Sequence, residues 1–110
     1  MPSFVTIGYG DQECYDRTTI PLRNAAHEHD ATLQQQGTLM GIAGQPVQVR
    51  NHDAAHVDTT NGPFMQSASP VAGFAIIEAA DLAQAIDMVS RTPCAVAHGV
   101  VEVWPLEQRS

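Results

Sequence analysis

The stretch Thr59-Thr60-Asn61-Gly62-Pro63-Phe64, followed by the apolar run Val71 to Ala79, decides the fold. Asn-Gly-Pro is a strong turn signal, because Gly takes positive φ freely and Pro turns the residue before it away from helix. The chain arrives polar, turns, and leaves through Val71-Ala72-Gly73-Phe74-Ala75-Ile76-Ile77. That run is apolar at both alternating sets of positions. It reads as a strand covered on both faces or central in its sheet, with the other elements arranged around it.

Upstream, Phe4 to Tyr9 alternates as a first strand and breaks at Gly8-Tyr9-Gly10-Asp11. Polar residues follow to Arg17. Thr18-Thr19 and Pro21 open a helix expected to reach Gln36 and stop at Gly37. Its stripe is Leu22, Ala26, His29, Leu33 and Gln36. Two polar groups on an inward stripe imply loose packing or a cavity. Leu39 to Ala43 is a short second strand. Val47 to Arg50, a turn at 51–55 and a return over His56 to Thr60 form a hairpin. Downstream, Asp81 caps a second helix with Gln84 as capping-box partner, and Leu82, Ala85, Ile86 and Val89 form its apolar face. Pro93 is expected to end it. Gly99 to Trp104 is the last strand.

Two strand-helix-strand halves in 110 residues predict an α+β fold, a ferredoxin-like βαββαβ sandwich with an inserted β-hairpin, as a single domain over 1–110. Both helices would cover one sheet face. The other face carries apolar side chains, and a second copy is its simplest cover, which predicts a homodimer.

The bulk numbers exclude several functions. With a formal net charge of −7, five Arg and no Lys, the chain has no electrostatic reason to bind nucleic acid or anionic membranes. No apolar run reaches the ~18 residues of a membrane span, and no leader pattern opens the chain. Cys14 and Cys94 read as reduced thiols, and a cytoplasmic location is expected. No cofactor motif is present. The His52, Asp53 and His56 cluster matches no standard metal spacing, so no metal site is expected there.

The residues quoted next carry a resemblance. Gly8-Tyr9-Gly10-Asp11, Gln36-Gly37-Thr38-Leu39, Ala43-Gly44 with Pro46, Asn61-Gly62-Pro63-Phe64, Val71-Ala72-Gly73-Phe74 and Val100-Val101-Glu102-Val103 occur in an order and spacing similar to the YCII-related family, in the branch named for an Asp-Gly-Pro-Phe motif. The resemblance implies a dimeric α/β barrel, built when two ferredoxin-like sheets pack face to face. Similar barrels include muconolactone isomerases and small monooxygenases, and fold analogy alone does not fix chemistry. The resemblance also implies a helix His paired with an Asp. Counting back from Ala43-Gly44 places that His near His27. This chain departs from the motif at Asn61, which holds a turn as Asp does but cannot be a general base.

From the residues themselves, His29 on the inward stripe is the first acid–base candidate, with Asp11 at the end of the first strand as the carboxylate to test. A buried His bonded to a backbone carbonyl is the competing reading of His29. His27 and Asp30, at i and i+3, read as a surface pair. Tyr9, His27, Asn61, Phe64 and His98 are candidates to hold a ligand. Two functions follow. One is a small-molecule-binding protein with His-based acid–base, isomerase- or lyase-like activity. The other is a silent binding or accessory protein that has lost the motif carboxylate.

Overall fold

The computed structural model describes residues 1–107; the last three positions of the domain expected over 1–110 lie outside the described residues. Six strands and four helices follow in order: β1 Ser3–Tyr9, α1 Gln12–Arg17, α2 Ile20–Gln35, β2 Leu39–Ile42, β3 Val47–Arg50, β4 Asp58–Asn61, β5 Val71–Glu78, α3 Leu82–Val89, α4 Pro93–Val96 and β6 Val100–Leu106. The main sheet is antiparallel, with order β2-β5-β1-β6. Two strand-helix-strand halves interleaved in this order are compatible with a ferredoxin-like fold. β5 is interior, as its continuous apolar run predicts. β3 and β4 form a separate two-stranded sheet joined through the 3-10 turn His52–Ala54.

Strand pleat assigns the two sheet faces. Phe4 pairs with Ile77 and Thr6 with Ala75, and these face the helices. Phe4, Ile77, Ala79, Ala85 and Val89 form the core, with Val101 and Val103 of β6 packed against it. Ile77 is 1% exposed. The opposite face holds Val5 and Ile7 of β1, Phe74 and Ile76 of β5, and Trp104 of β6, related by the same register. Phe74 is 50% exposed and Trp104 53%. Among the described residues nothing covers this face.

Local chemistry explains the helix ends. Asp81 caps α3 as expected, its Oδ1 accepting from Gln84 N at 2.9 Å, while Gln84 Oε1 reaches past the cap residue of the expected capping box to accept from Ala80 N. Two elements differ from expectation. Residues 12–17 are helical, because Asp11 caps them: its Oδ1 accepts from Cys14 N at 2.8 Å. Pro93 does not end α3, which stops at Val89 with Ser90 as cap. Pro93 opens α4, where its missing N–H is no loss.

The hairpin β3–β4 projects as an arm. Its bonds are internal: Gly62 N donates to Pro46 O at 3.0 Å, and Gln48 Nε2 donates to Gly62 O at 3.1 Å. Gly62 takes φ +99, the left-handed conformation that its turn requires. The arm stretches the molecule to 53 × 39 × 21 Å. The radius of gyration is 16.0 Å, against about 13 Å for a compact chain of this length.

Candidate functional site

A cleft of about 430 Å³ opens between the helix-facing side of the sheet and helices α2 and α4. Thr6 and Gly8 of β1, Met40 and Ile42 of β2, and Ala75 of β5 contribute from the sheet side. Thr92, Pro93 and Cys94 contribute from the start of α4. α2 supplies His27, Asp30, Ala31 and Gln34, which recur at helical spacing and so share one face. The size is that of a small-molecule site, apolar with a few converging polar groups.

The ionisable groups in the cleft influence one another. Asp30 is half-buried, and burial raises its carboxyl above the ordinary carboxylate range, opposed by the nearby His29 and His27. Burial also pushes the Cys94 thiol up, and the charge of Asp30 adds to this. The Cys94 thiolate is therefore disfavoured, which argues against a nucleophile. His27 Nε2 shares a hydrogen bond of 2.8 Å with the hydroxyl of Tyr15, supplied by α1. The Arg23 guanidinium lies 4.8 Å from the centroid of the Tyr15 ring. Tyr15 thus holds one ring nitrogen of His27.

The residues singled out in the sequence fall in six places. His27 lines the cleft. His29 does not: its Nε2 donates to the Met88 carbonyl at 2.6 Å, tying α2 to α3. Asp11 is occupied in capping α1, and its bonds from Cys14 hold its carboxyl below the usual range. Tyr9 lies at the β1 end and donates to Glu102 Oε1 at 2.6 Å, a bond that raises its phenol. By register Tyr9 and Glu102 belong to the face turned away from the cleft. Asn61 and Phe64 sit on the arm, where Phe64 is 76% exposed with the Arg50 guanidinium 5.8 Å from its ring centroid. His98 is an exposed turn residue with φ 64, just before β6.

The structure therefore brings His27 together with groups not put forward as a site: Asp30, Tyr15 and Cys94. A usable signal was present. Arg23, His27, Asp30 and Gln34 recur at three and four, forming a polar stripe beside the apolar one.

Fold and cleft together define a small α+β protein with an open cleft between one helix face and a sheet. The chain belongs to the YCII-related domain family, whose model matches residues 3–108. No curated protein sequence matches it.

Proposed function

We propose that this protein is a cytoplasmic, homodimeric small-molecule-binding protein, and that His27 and Asp30 carry an acid–base function in its cleft. The observation behind this reading is that a titratable imidazole and a carboxyl held above its ordinary range line the same ligand-sized cleft. Groups tuned by burial at a cleft are characteristic of acid–base sites. His27 can take or return a proton through the ring nitrogen that Tyr15 does not hold. Asp30 can store a proton beside it. His29 fits this role less well, since its Nε2 is engaged by the Met88 carbonyl. Asn61 lies on the arm, so its neutrality leaves the chemistry of the cleft intact. The Asn61–Phe64 turn supports a place in the branch named for the Asp-Gly-Pro-Phe motif. The free thiols Cys14 and Cys94 accord with a reducing compartment. Among the described residues no helix is long and apolar enough to cross a membrane.

Surface area supports the dimer. A monomer of 11.8 kDa is expected to expose about 5,900 Å², and this chain exposes 7902 Å². An excess of about 2,000 Å² per copy matches what an obligate homodimer buries. The uncovered sheet face is the apolar part of that excess. Face-to-face packing of two such sheets would give the dimeric barrel. The arm contributes as well, since an isolated two-stranded hairpin is marginal in water without something to pack on.

Asp30→Asn tests the site. An unfolded chain ionises Asp30 near the ordinary value of ~3.9, and the folded chain only at a higher pH. Between the two, the unfolded state has lost the proton and the native state keeps it. Native stability therefore falls as pH rises through that window and is level above it. The Asn variant has no such fall. Its urea stability should equal or exceed that of the wild type at pH 8, and the gain should vanish below the window. A variant less stable than the wild type at pH 8 would make Asp30 a structural carboxylate and remove the proposal's main support.

A further inference from the structure

Arg23 extends the polar stripe of α2 by one turn beyond the residues lining the cleft. It lies four residues before His27, on the same helix face. Its Nε is buried and has no hydrogen-bond partner, the single such side-chain atom found among the described residues. The ion pairs among those residues are Arg91 with Asp87 and His56 with Asp58, so no carboxylate answers Arg23. This is notable in a chain with twelve acidic residues and five basic ones. Buried polar groups are nearly always satisfied, and an orphan beside a cleft points to a missing partner. The Tyr15 ring lies 4.8 Å from the guanidinium carbon, a cation–π contact that restrains the Arg23 head beside His27.

We infer that the ligand of this cleft is a small organic anion, a carboxylate with an apolar body, whose charged group is held by Arg23 and His27. This rests on the cleft reading above and adds the ligand class. Seven residues separate Arg23 from Asp30, which is about 10 Å of helix rise. A carboxylate at Arg23 thus stands well away from the Asp30 carboxyl, and the body of the ligand extends between them over Ala31, Met40 and Ile42. The net charge of −7 repels anions at long range, so a local cation is what such a ligand would need.

The test uses three probes of one shape: 3-phenylpropanoate, its neutral amide and 3-phenylpropylamine. Each is titrated by calorimetry into the full-length protein at low salt. The acid should bind at least about tenfold more tightly than the amide, the size of one charge-assisted fork. Arg23→Gln should erase that preference, with circular dichroism reading that the variant is folded. Equal binding of acid and amide, or a preference that survives Arg23→Gln, overturns the anion inference and leaves the cleft reading standing. Tightest binding by the amine also overturns it, assigning the selectivity to Asp30 instead. If no probe binds at millimolar concentration, the inference falls together with the cleft reading for ligands of this size.

Discussion

Phe74→Asp combined with Trp104→Asp is expected to yield a monomer at micromolar concentration, where the proposed wild-type dimer would have twice the 11.8 kDa chain mass. Both side chains stand on the sheet face that the helices leave uncovered, half exposed in the single chain. In a two-fold symmetric interface each substitution appears twice, so four carboxylates would be buried in apolar packing. Each unpaired buried charge costs several kcal/mol, more than a micromolar dimer of about 8 kcal/mol can absorb. The folded monomer should survive, because Phe74 and Trp104 belong to the face opposite the core of Phe4, Ile77, Ala79, Ala85 and Val89. Light scattering reads the mass and circular dichroism the fold. A wild type that is itself monomeric, or a double variant that remains dimeric, would remove the homodimer from the account.

Gly99→Ala should be the most damaging small substitution to the fold. A Cβ at Gly99 would stand 2.1 Å from Tyr9 O and 2.6 Å from Cys94 O. Both obstacles are backbone atoms, which cannot swing aside as a side chain can. Gly99 N also donates to Cys94 O at 2.9 Å, so the two segments are tied where they would have to separate. Overpacking without relief costs about 3 kcal/mol or more. The damage would reach the cleft, because the same movement displaces the start of α4, where Thr92, Pro93 and Cys94 line it. Urea denaturation measures the loss. A change under about 1 kcal/mol would show that α4 and the end of β1 part easily.

Much of this architecture is legible in the sequence because burial imposes a period. The continuous apolar run of β5 marks it as interior, and Asp81 with Gln84 marks the start of α3. The arm follows from Val47 to Arg50 and the Asn61-Gly62-Pro63 turn. Helix α1 lacks an apolar stripe and buries no residue, so only the cap at Asp11 could announce it. Pro93 carries two opposite meanings, stop and start, and Thr92 before it as N-cap decides for the second.

The candidate site is less legible for a related reason. Periodicity reports the side of α2 that faces the core, where Ala26 and Leu33 are buried. His29 is on that side because its ring reaches the Met88 carbonyl. The cleft is lined by the neighbouring stripe, whose His27, Asp30 and Gln34 look like an ordinary solvated face. Only the placement of β2 and α4 across from that stripe turns it into a wall.

The most direct measurement is a two-dimensional amide NMR titration of the isotope-labelled protein with a panel of small apolar-bodied molecules. Binders should shift the amides of 27–34 in α2, 40–42 in β2 and 92–94 in α4, and His27→Gln should weaken them while His29→Gln does not. Shifts confined to the arm around Phe64, or binding indifferent to His27, would contradict the proposed site.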